Sequence, residues 1–490
     1  MSLAPKIGTG VLGLDTVLNG GLHAGRVYLL EGTPGAGKTT VAIQFLLAGA
    51  ADGQTCLYFA LSESADELAT AAESHGWSLD GIDIVEVIGD MLDPDQDQSV
   101  LHPSELELGT AIRSVMREVE ERRPARVVFD SLSEMRLLVQ SPFRYRRQVM
   151  ALKRFFTKLG CTVLLLDDCT RSAELQLHSV VHGVVALEQD AAEFGGERRR
   201  LRVTKLRAST YRAGWHDYRI ETGGLVVFPR LIPPPQPDGL LRDSVGSGAA
   251  GLDALLGGGL VRGTSTLLMG PSGVGKTSTV TAAVLAAAER GEKVALFISD
   301  ESLPSLLTRS VNLGMDLRPH LETGVLWICP VDPVQISAGQ FAGMVADSVT
   351  KGHAKVVVID SLSAYLQAMP NERVFLLQMH ELLGFLNAHG TVTLMVLGQL
   401  GSVHDVRANV DLGYLADTVV LLRFFEADGA VRKAISVLKT RTTSHESTIR
   451  ELKLGPSDLE IGAPLTGFQG VLSGVPDFIG SSNDMMTLPD

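Results

Sequence analysis

The sequence predicts an α/β protein built twice over: two tandem domains, each a mostly parallel sheet flanked by helices. Three observations carry this expectation. The chain contains itself in register, each copy places a glycine-rich loop ending in Gly-Lys-Thr directly after an apolar run, and those runs are continuously apolar. Continuous Val/Leu/Ile runs suit parallel strands covered on both faces, whereas one-sided strands alternate.

The repetition decides the architecture. GLDTVLNGGL begins at Gly13 and GLDALLGGGL at Gly251, an offset of 238 residues. GTPGAGKTT at Gly32 and GPSGVGKTS at Gly270 keep that offset, as do Glu63 and Glu301. VVFDSLS around Asp130 matches VVIDSLS around Asp360 at 230, and KLR at Lys205 matches KTR at Lys439 at 234. Five landmarks in one order mark a duplicated domain. FPRLIPPPQPDG, from Phe228, holds five prolines, which continue neither a helix nor a central strand and make a stiff spacer. The expected division is 1–230 for the first domain, 231–240 for a linker, 241–456 for the second domain and 457–490 for an extended tail.

Strands are expected at VYLLEG, LYFAL, ARVVFDSL and TVLLLD in the first half, and at STLLMG, VALFIS, AKVVVIDSL and TVTLMVLGQ in the second. RVFLLQMHELLGFLNAHG has the spacing of an amphipathic crossover helix and stops at a glycine, which caps helix ends readily. Of the 490 residues, 45% are hydrophobic and 20% charged, a globular balance that excludes wholesale disorder. Each half is long enough to bury its own core. The 43 Lys+Arg stand against 56 Asp+Glu, a net charge of −13, and this weighs against a nucleic-acid binder held by phosphate contacts. Cys56, Cys161, Cys169 and Cys329 form no CxxC or zinc spacing and read as reduced, buried thiols. MSLAPKIGTG lacks the apolar core of a leader and no apolar run would span a bilayer, so a cytoplasmic protein without membrane contact is expected.

G-x-x-x-x-G-K-T occurs as Gly32 to Thr39 and as Gly270 to Thr277. Between a strand and a helix, this spacing wraps backbone N–H groups around phosphates at the positive helix end. The expected ATP contacts are Gly32, Thr33, Gly35, Ala36, Gly37, Lys38, Thr39 and Thr40 in the first half. In the second they are Gly270, Ser272, Gly273, Val274, Gly275, Lys276, Thr277 and Ser278. Lys38 and Lys276 neutralise β- and γ-phosphates, and the Thr39 and Thr277 hydroxyls face Mg²⁺. Asp130 and Asp360 end apolar strands beside these loops, where an acid helps hold the metal. Glu63, Asp300 and Glu301 follow the next strand, where a base for the attacking water belongs. Ser62 leaves the first half with one acid where the second has two. Gln399 ends a strand where a side chain could sense the γ-phosphate. Lys205 and Arg207, with Leu206 between them, and Lys439 and Arg441 recur late in each half and could reach ATP across a subunit boundary. The Arg198, Arg199, Arg200, Arg202 cluster has no aromatic residue interleaved and reads as a solvated face or an interface.

Together these residues resemble the KaiC family of RecA-like ATPases, from about Gly13 to Gly455. The resemblance implies two stacked rings of six subunits with ATP at each interface. It implies catalytic carboxylates at Glu63, Asp300 and Glu301, and contacts from a neighbouring subunit at Lys205, Arg207, Lys439, Arg441 and His445. Clock members phosphorylate a Ser-Thr pair. Anchored on Asp417-Thr418, that pair falls here on Gly413 and Tyr414, so clock-style autophosphorylation there is not expected. Tyr211 stands where the family pattern has a histidine. The closing GFQGVLSGVPDF resembles the tails of non-clock members found beside signalling proteins. The expected function is a hexameric, Mg²⁺-dependent ATPase acting as a regulatory switch. The alternatives are an autokinase using Ser402, Thr442 or Thr443, a DNA-binding ATPase of the same fold, and a nucleotide-locked scaffold for the first ring.

Overall fold

The computed structural model describes residues 5–87, 103–137, 139, 141–168, 177–190, 197–234, 243–367, 372–398, 412–427, 429–455, 459–471 and 477–478. Cys169, Gln399 and Ser402 lie outside them, as do residues 235–242 and 479–490. By internal contacts the chain divides into Met1–Arg230 and Leu231–Asp490.

In the first unit the main strands are β1 (Val27–Gly32), β2 (Cys56–Ala60), β3 (Ile82–Glu86), β4 (Arg126–Asp130), β5 (Thr162–Asp168), β6 (Gly183–Asp190), β7 (Arg198–Leu206), β8 (His216–Glu221) and β9 (Gly224–Phe228). Their spatial order is β9-β8-β7-β6-β1-β5-β4-β2-β3. The six strands from β6 to β3 are parallel, and β7 to β9 extend the sheet antiparallel. The second unit repeats the plan with β10 (Ser265–Gly270), β11 (Val294–Ile298), β12 (Leu326–Pro330), β13 (Val356–Asp360), β14 (Val392–Gly398), β15 (Thr418–Ala427), β16 (Ala430–Thr440), β17 (Arg450–Leu454) and β18 (Leu459–Pro464). These are ordered β12-β11-β13-β14-β10-β15-β16-β17-β18. The fold class read from the sequence is the observed one.

The continuous apolar runs have a simple cause. Side chains alternate across a strand, and in the parallel strands both faces are covered. Tyr28, Leu30, Tyr58, Val128, Leu164 and Leu166 pack with Phe45 and Leu46 of helix Lys38–Ala51. Their neighbours Leu29, Phe59, Val127, Phe129, Val163 and Leu165 pack on the other face with Val149, Leu152 and Phe156 of helix Pro142–Leu159. Each such side chain contributes about 1.5–3 kcal/mol by leaving water. The expected crossover helix is Glu372–Ala388, and Gly390 beyond it takes φ +71°.

The second sheet runs past the boundary expected at residue 456. Leu459–Pro464 pairs antiparallel with β17, and Leu459 is buried. Phe468–Gln469 pairs with Asp477–Phe478, and the Phe468 ring meets Phe425 at 5.5 Å. A short edge strand among Gly and Pro carries too weak a pattern to be read locally. Leu231, assigned to the linker, packs against the second unit's core.

One core residue breaks the symmetry. Arg126 opens β4 and is 1% exposed, whereas Val356 opens β13. Its guanidinium donates to Gln54 Oε1 at 2.7 Å, Phe45 O at 2.8 Å and Gly8 O at 2.9 Å, and lies 4.8 Å from the Phe45 ring centre. Removing it strands buried acceptors. Arg126→Ala is expected to lower the unfolding free energy of the first unit by about 3 kcal/mol, read by urea titration with hydrogen exchange at β4 amides; an unchanged midpoint would refute the anchoring role.

Candidate functional site: two phosphate cradles

β1 ends at Gly32 and β10 at Gly270, and each continues through a glycine-rich turn into helix Lys38–Ala51 or Lys276–Glu289. Gly37 and Gly275 cap those helices with φ +90° and +116°, a left-handed backbone that glycine adopts without penalty. A Cβ on Gly37 would come within 2.6 Å of Ile220 Cδ1. The Tyr218 hydroxyl, from β8, donates to Ala36 O at 2.6 Å and ties the first loop to the sheet. The turns therefore leave the first N–H groups of each helix as unmatched donors at its positive end, as an anion site requires. Each lysine curls back over its loop. Lys38 Nζ donates to Gly32 O at 2.9 Å and Thr33 O at 3.2 Å, and Lys276 Nζ to Gly270 O and Pro271 O at 2.8 Å. Burial pulls the Lys276 ammonium below its ordinary range, while Asp360 and Asp300 oppose it.

Asp130 and Asp360 end β4 and β13, and the peptide bond after each is cis. Asp130 Oδ2 accepts from the Tyr58 hydroxyl at 2.5 Å and from Thr39 Oγ1 at 3.4 Å. Asp360 accepts from the Thr277 hydroxyl. Burial pushes both carboxyls above the usual range; the Tyr58 bond, Lys38 and the Thr39 bond oppose this at Asp130, and the Thr277 bond leads the opposition at Asp360. A hydroxyl beside a carboxylate is an all-oxygen donor set that suits a hard divalent cation. Among the described residues no group of three or more His, Cys, Asp and Glu could hold a metal by itself. In the second unit these residues line a cleft of about 1140 Å³, walled by Ser272, Lys276, Thr277, Asp300, Glu301 and Asp360. That volume takes a nucleotide-sized ligand.

The acids beyond β2 and β11 are less alike than their alignment suggests. Glu63 stands exposed at the mouth of the first site. Partial desolvation there raises its carboxyl, and the Asp130 and Glu67 charges add to the effect. Glu301 instead makes a forked ion pair with Arg309, Nη2 to Oε2 at 2.8 Å and Nε to Oε1 at 3.3 Å. Asp300 accepts from the Ser361 hydroxyl. Arg309 sits on helix Leu303–Asn312, and the matching residue in the first unit is Ala71.

Lys205 and Lys439 do not approach the cradle of their own unit. Lys205 lies opposite Val184, next to Gly183, which pairs with Tyr28 at the start of β1, the far end from Gly32. Lys205 Nζ donates to Val181 O at 2.7 Å and to His178 O, and Arg207 reaches Ser179 O at 3.2 Å. Lys439 Nζ donates to Gly413 O and Ala416 O at 2.9 Å, and Arg441 to Tyr414 O at 2.6 Å. In both units a register shift falls at the same place, after Val184 opposite Lys205 and after Val419 opposite Lys439. Bulges re-aim side chains and occur at functional edges. Leu206 is buried, His445 is half-buried, and Tyr211 packs on the first core. The arginine cluster gains an aromatic partner that sequence order hides. Arg200 and Arg202 lie 4.7 Å and 4.6 Å from the Trp215 ring centre.

Sequence reasoning missed Tyr58, Tyr218, Arg309, Ser361 and Asp168. Asp168 ends β5 and holds Lys38 Nζ at 2.8 Å. Its adjacency in LLLDDC to a strand end was the available signal.

Two such cradles on doubled parallel sheets define the class, a tandem phosphate-loop protein of the RecA-like ATPase kind. The family model for the KaiC ATPase matches residues 7–232 and again 245–465, so the chain belongs to the KaiC ATPase family. It is 27% identical to the circadian clock oscillator protein KaiC of Thermostichus vulcanus, over 96% of this chain and 92% of that protein. It is 26% identical to the circadian clock protein KaiC3 of Synechocystis sp., over 97% and 95%. The KaiC of Synechococcus elongatus is 26% identical over 96% and 92%. No helix among the described residues is long and apolar enough to cross a membrane.

The raised carboxyls have a consequence for stability. A group whose folded pKa lies above its unfolded value is penalised once both states are ionised. Asp130→Asn and Asp360→Asn are each expected to raise the melting temperature of the nucleotide-free chain at pH 7. The gain shrinks as pH falls through the raised folded pKa toward the unfolded one, and a lower melting temperature at pH 7 would contradict the burial penalty.

Proposed function

We propose that the chain is a Mg²⁺-dependent ATPase that works as a hexameric double ring and serves as a nucleotide-driven regulatory switch. The observation that carries the reading is the duplicated constellation of loop lysine, helix hydroxyl and buried strand-end acid. Chance does not place Lys38, Thr39 and Asp130 and then Lys276, Thr277 and Asp360 in the same relation. Loop N–H groups and the lysine bind the polyphosphate and offset its charge. Thr39 with Asp130, and Thr277 with Asp360, would hold Mg²⁺, which when bound supplies charge neutralisation to the β- and γ-phosphates. Glu63 in the first unit, and Asp300 or Glu301 in the second, are positioned to accept a proton from the attacking water. Arg309 forms an ion pair with Glu301, whereas Asp300 accepts the Ser361 hydroxyl and among the described residues faces no paired cation, which favours Asp300 as the base.

The placement of Lys205, Arg207, Lys439 and Arg441 at the far sheet ends supports assembly. Cations there can meet a phosphate only on another subunit, so closing a site requires a neighbour and activity follows from oligomerisation. The named relatives are clock proteins. For this chain a switch without clock-style phosphorylation fits better, because Gly413 has no hydroxyl and Tyr414 extends its own much farther from the backbone. Of the other acceptors, Thr443 Oγ1 already donates to Leu256 O at 3.0 Å. The partner it controls is a protein of unknown identity. A cytoplasmic setting without nucleic acid or membrane belongs to the same proposal.

Lys276→Ala is expected to abolish nucleotide binding at the second cradle and Lys38→Ala at the first, measured by equilibrium binding alongside particle mass. Full stoichiometry in both variants would sink the assignment. Asp300→Asn combined with Glu301→Gln is expected to slow second-site turnover by about 10²–10⁴-fold while ATP stays bound. An unchanged rate in a Lys38→Ala background would remove both acids from the chemistry.

A further inference from the structure

The two cradles carry three carboxylates each, but the third stands in different places. In the second unit they are Asp360, Asp300 and Glu301, with Gly398 ending β14. In the first they are Asp130, Glu63 and Asp168, with Ser62 where Asp300 would be. Asp168 and Gly398 are structural equivalents. Each donates its backbone N–H to the Oγ of a matching serine, Asp168 to Ser133 and Gly398 to Ser363, both at 2.8 Å. Strand alternation puts Asp168 on the face of Leu164 and Leu166, the face that packs against the phosphate-loop helix. Its carboxylate therefore looks into the cradle, where Oδ1 lies 2.8 Å from Lys38 Nζ. Its negative charge also acts on buried Asp130. Asp167, one residue earlier, faces the other way and is occupied by Arg136 and Ser133.

We propose that Asp168 is a positioning residue and an electrostatic gate peculiar to the first cradle. It holds the Lys38 ammonium that a polyphosphate must recruit, and it makes nucleotide entry there depend on a divalent cation far more steeply than at the second cradle. The inference rests on the reading of both loops as nucleotide cradles. The physical reason is a competition. A phosphate arriving at Gly32–Thr39 has to take the ammonium from Asp168, after which the freed carboxylate lies beside phosphate oxygens. Like charges a few ångströms apart in a partly desolvated cleft repel strongly, and a divalent cation between them removes the repulsion. At the second cradle Gly398 offers no side chain, and among the described residues no carboxylate is ion-paired with Lys276; Asp360 and Asp300 act on it only at longer range. Arg309 adds a positive charge there that Ala71 does not supply to the first. The Lys38 side chain is 10% exposed and the Asp168 carboxylate 40%, so the lysine is held inside the cradle while the acid beside it stays within reach of a divalent cation from solvent.

The test uses the full chain with one cradle silenced. In a Lys276→Ala background, binding of N-methylanthraniloyl-ATP is titrated with excess EDTA and again with saturating MgCl₂. Asp168→Asn is expected to strengthen EDTA-state binding by about tenfold and to change Mg²⁺-state binding by less than about threefold, so that the Mg²⁺ dependence collapses. Asp168→Glu is expected to restore most of that dependence. In a Lys38→Ala background, the second cradle is expected to show a smaller Mg²⁺ dependence, unaltered by Asp168→Asn. Equal EDTA-state affinity with and without the Asp168 carboxylate overturns the gate. Absence of binding in every background, Mg²⁺ included, overturns the nucleotide reading beneath it, so the two failures are distinguishable.

Discussion

A parallel sheet covered by helices on both faces can present polar groups only where its strands leave the sheet. In this chain that constraint acts twice. Asp130, Asp168 and Glu63 stand at or just past the carboxyl ends of β4, β5 and β2, around the turn that follows β1. Asp360, Asp300 and Glu301 stand at the ends of β13 and β11, around the turn after β10. The buried runs behind them fix strand order and height, and so fix how far each acid lies from the loop lysine. The placement of the rim groups depends on the packing of Tyr28, Leu30, Val128 and Leu164 beneath them, and of Leu268, Leu296, Val358 and Val396 in the second unit.

Duplication preserved the parts that the proposed phosphate binding would need and released the rest. The loop glycines, the lysine, the helix threonine, the strand-end aspartate and the bulged lysine near the far sheet end occur in both units. Around them the pairs diverge: Ser62 against Asp300, Ala71 against Arg309, Asp168 against Gly398, and Tyr218 against Leu452. Each substitution changes the charge or tether of one cradle, while both loops still end in a left-handed glycine at the helix start. The divergence also reaches the core, where Arg126 replaces the valine of the other unit and ties helix, loop and strand together through carbonyl oxygens. The Arg126 contacts, with Gln54, Phe45 and Gly8, include no residue of the phosphate-loop turn.

Much of the site was legible because its parts are contiguous. Glycines, lysine and threonine fall within eight residues, and an acid at the end of an apolar run advertises a strand end. The doubled register then confirmed each reading by repetition. What stayed hidden is joined through space. Tyr58 reads as one more apolar residue of LYFAL, yet its hydroxyl meets Asp130 from the adjacent strand. Arg309 lies eight residues past Glu301 on a helix face, and only the fold turns it back upon the acid. Trp215 lies beyond the arginine cluster in sequence and beside Arg200 and Arg202 in space. The edge strand Leu459–Pro464 was passed over because a half-exposed strand needs little apolar pattern once its neighbour pairs with it.

By itself the sequence determined the doubled α/β plan, the two phosphate loops and the acids at the strand ends. Those features are encoded in local spacing and in runs whose burial on two faces leaves one structural reading. Tertiary structure alone decided which acids are free and which are paired: Glu301 drawn to Arg309, Asp300 bonded to Ser361, Lys38 held by Asp168. An ion pair is set by a distance of a few ångströms between residues from separate strands and helices. That distance exists only after the sheet has closed around its core.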